Sequence, residues 1–142
     1  MFRRIFNRRA SSASEANTPD FLQAIGNAML DGTGHAAGKI LLYAEVEQGV
    51  ISADLLWEDA GQRVRFRFAP EPLKNTLYSY WASSEFAAAR WRTFRCVVYQ
   101  GRFDVHLSYP DKLVPTEDVS DRRPREIKAV FGDMPVDYSS PS

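Results

Sequence analysis

Two side chains that can exchange protons, Asp104 and His106, lie two residues apart in the segment 91–111. They alternate with the apolar residues Val105 and Leu107, and an extended strand sends alternate residues to opposite faces of a sheet. A carboxylate beside an imidazole can act as a general acid–base pair in a small hydrolase or nuclease. The same alternation is typical of any strand with one solvated face. The sequence therefore favours a protein that is not an enzyme, with an Asp104/His106 hydrolase or nuclease as the alternative.

Residues that commonly hold metals or cofactors are few and scattered. The two histidines, His35 and His106, are far apart, whereas a zinc site needs three or four converging ligands. The sequence contains no phosphate-binding loop, nucleophile elbow or dinucleotide fingerprint. We therefore predict no catalytic residues, no metal and no cofactor. The single cysteine, Cys96, cannot form an internal disulfide, which is typical of a reducing cytoplasm, and its position in a strand predicts a buried apolar role.

Charge is distributed unevenly along the chain, although the formal net charge is zero. Residues 21–60 carry one positive and six negative side chains, and residues 61–112 carry nine positive and four negative ones. The two sets can neutralise each other on adjacent strands, which is our preferred interpretation, or form a polarised surface that steers a charged partner. The residues predicted to contact such a partner are Glu45, Asp54, Glu58, Asp59, Arg63, Arg65 and Arg67.

The arginine stripe in RVRFRF (63–68) also suits contact with nucleic-acid phosphates. However, the apolar residues Val64, Phe66 and Phe68 alternate with the arginines and are predicted to face the core. Aromatic rings on that opposite face cannot stack bases beside the arginines. We therefore predict no direct contact with nucleic acid.

The spacing of apolar residues predicts three helices and five strands. The first helix starts at Thr18-Pro19 and stops at Gly32. The second starts at Pro70-Glu71-Pro72, and Leu73, Leu77, Tyr80 and Trp81 mark its packed face. The third covers 120–131 and ends at Gly132. A further turn or helix is predicted at 84–90. Strands are predicted at 39–46, 50–57 and 63–68, followed by a hairpin within 91–111 that turns at Gln100-Gly101.

These elements predict one α+β domain over residues 18–132, with a five-stranded antiparallel meander-type sheet and helices packed on one face. A chain of 142 residues with 44% hydrophobic residues can bury such a core. Residues 1–17 are expected to be a basic, disordered tail, of which residues 1–10 are also suited to weak contact with a membrane surface. Residues 133–142 are expected to be a flexible tail. No apolar run approaches the roughly 20 residues of a membrane span.

Several segments resemble the YezG-like bacterial immunity proteins. They are LLYAEV (41–46), VISADLLW (50–57), the helix 73–81 and the hairpin 91–111, in which Trp91, Gly101-Arg102-Phe103 and Tyr109-Pro110-Asp111 carry the likeness. The likeness covers roughly residues 20–132 and implies a cytoplasmic protein without catalytic residues. It also implies that the protein neutralises a cognate toxin, often a nuclease, by tight non-covalent binding. A secretion-chaperone-like adaptor is a further alternative, since such adaptors are also small α+β domains that bind another polypeptide.

Overall fold

Three tight turns fold the central part of the chain into antiparallel strand pairs. The computed structural model describes residues 18–83 and 90–139. Each turn contains a residue–glycine pair in which both residues have positive φ: Gln48-Gly49, Ala60-Gly61 and Gln100-Gly101. Left-handed turn residues suit hairpins because their twist matches the right-handed twist of the flanking strands. The predicted hairpin turn at Gln100-Gly101 is confirmed, with φ values of 52° and 76°.

The strands form one mixed sheet in the order β5-β4-β1-β2-β3-β6. All neighbours are antiparallel except β3 and β6, which are parallel. The prediction of five strands in a meander is therefore only partly right, because the β4–β5 hairpin returns to the free side of β1 and a sixth strand is added. The strands are β1 Ile40–Glu47, β2 Val50–Asp59, β3 Arg63–Phe68, β4 Thr93–Tyr99, β5 Arg102–Ser108 and β6 Val136–Asp137.

Two helices cover one face of the sheet, which we call the first face. They are α1, Thr18–Gly32, and α2, Glu71–Ala82. The α2 residues Leu73, Leu77 and Tyr80 are buried as predicted from helical spacing, and the fourth predicted residue, Trp81, is half-buried against the same core. Their core includes α1 and the apolar side of the β4–β5 hairpin, which confirms the predicted packing of that hairpin face. The fully buried residues of this core with the largest side chains are Leu22, Ile25, Met29, Ile40, Leu42, Leu55, Leu73, Leu77, Phe94 and Phe103.

The third helix, α3, Val119–Phe131, covers the opposite face, which we call the second face. Its residues Ile127 and Phe131 pack in a separate core with strand residues Leu41, Leu56 and Val64. The prediction that all helices pack on one face is therefore wrong. The central strand β1 is buried on both sides along seven of its eight residues, so its apolar run needs cover above and below.

Both ends of α3 are well defined. The Asp118 carboxylate accepts the Ser120 N–H at 2.9 Å, and the Asp121 carboxylate accepts the Asp118 N–H at 3.0 Å. This reciprocal capping box satisfies backbone donors that the first helical turn leaves without partners. At the other end, Gly132 adopts a φ of 65°, which favours glycine, and it confirms the predicted helix end.

The predicted domain end at 132 is too early. Val136 and Asp137 form β6 and pair with Val64 and Arg65 of β3, so the segment predicted to be a flexible tail from 133 contributes a strand to the sheet. The predicted tail 1–17 lies outside the described residues, as does most of the element predicted at 84–90. Among the helices of the described segments, none has both the length and the apolar character of a membrane span.

Candidate partner-binding surface

Glu45, one of the predicted contact residues, lies under α3 and is only 4% exposed. Its carboxylate accepts two hydrogen bonds from the Arg122 guanidinium, from Nε at 2.9 Å and from Nη2 at 2.7 Å. The Tyr43 hydroxyl donates a third at 2.6 Å. Burial, and to a smaller extent the hydrogen bond to Glu45, raises the pKa of the Tyr43 hydroxyl well above its ordinary value. Glu45 is therefore part of the internal structure and is not available to a partner.

Asp54 is the second predicted contact residue that α3 covers, and it is 2% exposed. Arg123 of α3 donates a hydrogen bond from Nη1 to its carboxylate. Burial raises the pKa of Asp54, and the bond and charge of Arg123 oppose that shift. Both strand carboxylates thus face a helix whose arginines neutralise them. The prediction that Glu45 and Asp54 contact a partner is wrong for this folded arrangement.

Three of the predicted charged residues pair with one another across the β2–β3 hairpin. The Asp59 carboxylate accepts hydrogen bonds from Arg65 Nε at 3.0 Å and from Arg63 at 3.3 Å. Arg63 also reaches Asp137 of β6 at 3.2 Å. The hydrogen bond from Arg65 is the largest of the influences that lower the pKa of Asp59. These contacts agree with our interpretation that the opposite charges on adjacent strands neutralise each other.

The last two predicted residues, Glu58 and Arg67, hold backbone groups. Glu58 Oε1 accepts the Lys39 N–H at 3.0 Å, and Arg67 Nη1 donates to the Gly32 carbonyl at 3.1 Å. Arg67 differs from its two stripe neighbours because no carboxylate of the described residues pairs with it. Its charge is therefore the least compensated of the stripe.

An exposed aromatic cluster at the β3–β6 edge was not predicted. Phe68 is 72% exposed and Tyr138 is 61% exposed, and both rings contact the half-buried Phe66, with centroid distances of 5.2 Å and 5.1 Å. We call Phe66, Phe68 and Tyr138 the β3–β6 aromatic cluster. The prediction that Phe68 faces the core is wrong, because the core of the second face ends before the end of β3. Exposed aromatic rings are among the residues that dominate binding energy in protein interfaces.

The alternative catalytic pair is placed on the solvated side of β5. Asp104 is exposed and His106 half-buried, which confirms the predicted alternation. Asp104 lines an open hollow of about 380 Å³ together with Lys39, Tyr99 and Arg102, whereas His106 does not line it. Within residues 18–83 and 90–139, no group of three or more potential metal ligands converges. This hollow therefore does not bring Asp104 and His106 together around a substrate.

Cys96, predicted to be a buried apolar residue, is 1% exposed in the core of the first face. Burial raises the pKa of its thiol far above the ordinary value, so the nucleophilic thiolate is disfavoured.

The chain was also compared with known proteins. It matches no model of a known protein family, and it matches no curated protein sequence. The likeness to the YezG-like immunity proteins therefore remains a prediction from the sequence.

Proposed function

We propose that this protein is an immunity protein that neutralises a cognate bacterial toxin by non-covalent binding in the cytoplasm of the producing cell. The sequence resemblance motivates the proposal, and the β3–β6 aromatic cluster is the observation that supports it most directly. Phe68 and Tyr138 expose large aromatic surfaces to water, and clustered exposed apolar side chains are typical of surfaces that bind another molecule.

The chemistry of the surface also limits the kind of partner. Glu45 and Asp54 are sealed beneath α3, so the strands do not present them to a basic toxin. Arg67 lies on the face of β3 opposite to Phe68, where it donates a hydrogen bond to the Gly32 carbonyl of α1, so it is not part of this cluster. We therefore expect a toxin surface with an apolar groove that accepts the two exposed rings.

Co-expression with the polypeptide encoded immediately upstream tests the proposal. Phe68→Ala and Tyr138→Ala should each weaken binding by at least about tenfold, as is typical of aromatic hot spots, and should reduce protection of the host. Tyr99→Ala is a matched control, because Tyr99 is 40% exposed but lies in β4, which β1 and β2 separate from β3. If the protein neither binds an adjacent toxin nor protects the host from one, the proposal is refuted.

Two other outcomes would favour the competing functions. If the neighbouring polypeptide is not toxic and is exported only in the presence of this protein, the secretion-chaperone-like adaptor is favoured. If the purified protein hydrolyses nucleic acids or esters and His106→Ala abolishes that activity without unfolding, the hydrolase is favoured.

A further inference from the structure

Strand β5 forms the end of the sheet opposite β6, and no strand in the described part of the chain pairs with its outer edge. The Ser108 carbonyl accepts the Arg92 N–H at 2.7 Å, so the backbone groups of Ser108 face β4. Successive residues of a strand direct their N–H and C=O groups to opposite sides, so those of Val105 and Leu107 point outward. Such a seven-residue edge is a template for another strand.

The side chains along this edge are polar and of mixed charge. On the second face, Asp104 lies beside the apolar Val97 of β4 and makes no ion pair with the described residues. His106 lies beside Arg95, whose charge is already engaged by Glu126 of α3 at 2.7 Å. The carboxylate of Asp104 and the imidazole of His106 therefore remain available for groups outside the chain.

We propose that β5 pairs with β5 of a second copy of this chain, antiparallel about a two-fold axis at Val105, to give one sheet twice as wide. In this register Asp104 lies opposite His106 of the partner subunit, and His106 lies opposite Asp104 of the partner subunit. An imidazole N–H can donate to each carboxylate. Because the interface is two-fold symmetric, this favourable pair occurs twice.

Charge also selects this register over its neighbours. The outward backbone groups lie at alternate residues and must face those of the partner strand. The two-fold axis can therefore lie at Val105 or at one of its neighbours, Asp104 and His106. An axis at Asp104 places two carboxylates opposite each other, and an axis at His106 places two imidazoles together. Like groups at these positions are unfavourable, whereas opposite charges stabilise a strand pair. The axis at Val105 also pairs the full length of β5.

This dimer does not depend on the proposed function, since it uses the opposite edge of the sheet. The β3–β6 aromatic cluster would remain accessible at both far ends of the doubled sheet. A dimeric immunity protein would then present two equivalent binding edges.

Sedimentation of the full chain from micromolar to millimolar concentration tests the dimer, without any toxin. Wild type should show a concentration-dependent monomer–dimer equilibrium. Asp104→Arg places an arginine opposite histidine, and His106→Glu places a glutamate opposite aspartate, so each variant alone should dimerise at least about tenfold more weakly. An equimolar mixture should recover the dimer, because the new arginine of one variant then faces the new glutamate of the other.

Recovery on mixing separates the proposed pairing from a folding defect, which mixing would not repair. Asp133→Arg is the matched control, since it makes the same charge change at a side chain that is 93% exposed and lies beyond α3. That control should dimerise like wild type. Should either charge variant fail to fold by circular dichroism, the smaller change Asp104→Ala takes its place and should also weaken the dimer. A monomeric wild type, an undiminished dimer in the variants, or a mixture of folded variants that stays monomeric would overturn the proposal.

Discussion

Replacing Arg122 with methionine should destabilise the protein strongly. The Arg122 and Glu45 side chains are each 5% exposed and are joined by two hydrogen bonds, and Arg122 also donates to the Glu117 carbonyl at 2.9 Å. Removing one partner leaves the other charge buried, which typically costs about 3–5 kcal/mol. The total free energy of unfolding of small domains is about 5–15 kcal/mol, so this loss is a large share of the stability.

Urea unfolding at neutral pH measures this loss. With a typical slope of about 2 kcal/mol per molar urea, we expect the midpoint to fall by about 2 M. Arg125→Met is the matched control on the same helix, because Arg125 binds Glu117 at the surface and is 57% exposed. That control should leave the midpoint nearly unchanged.

A triple variant tests the cause of the loss. Changing Tyr43→Phe and Glu45→Leu together with Arg122→Met removes every charge and the hydroxyl of the cluster, and apolar groups of similar size should restore most of the stability. If the free energy of unfolding of the single Arg122→Met variant lies within about 1 kcal/mol of the wild-type value, the reasoning is refuted, because a buried unpaired carboxylate should destabilise the fold by more than that.

Three further substitutions probe the sheet and the helix α1 that covers it. Burial raises the pKa of Asp54 above the ordinary value of 3.8. The stability that Asp54 contributes is therefore present below pH 3.8 and is lost as the pH rises through the folded-state pKa. Asp54→Asn should accordingly gain stability relative to wild type between pH 3.8 and neutrality, as measured by urea unfolding. Arg65 lowers the pKa of Asp59, whose contribution is lost as pH falls through the folded-state value, so Asp59→Asn should show the opposite trend in urea titrations below pH 3.8. Gly26→Ala would drive a methyl group into the Phe103 ring and should cost about 1–3 kcal/mol in urea unfolding, and Phe103→Leu in the same chain should recover part of it.

The local elements were predictable because their signals lie within a few residues. Alternation located β3 and β5, and the start of α2 and the end of α3 followed from Pro70 and Gly132. Strand β6 has only two residues, so neither periodicity nor propensity marks it. Its position is set by pairing with β3, which no local pattern encodes.

The roles of the strand carboxylates were not predictable from local sequence. Glu45 and Asp54 occupy strand positions that are solvated when a sheet has one open face. Their partners Arg122 and Arg123 lie 77 and 69 residues later in a polar helix. That helix was predicted, but the sheet face it covers depends on tertiary packing. Phe68 was misassigned for the converse reason, because alternation gives the face of a residue and not the extent of the core above it.

The late position of α3 in the chain has a consequence for synthesis. A ribosome completes β1 and β2 long before it adds residues 119–131, so the emerging sheet first exposes Leu41 and Leu56 together with two carboxylates that lack counter-ions. Release of a chain that stops before α3 should therefore yield insoluble protein. Fusion of a carrier after Ser139, which leaves that helix in place, is the safer design for tethering this protein to a surface.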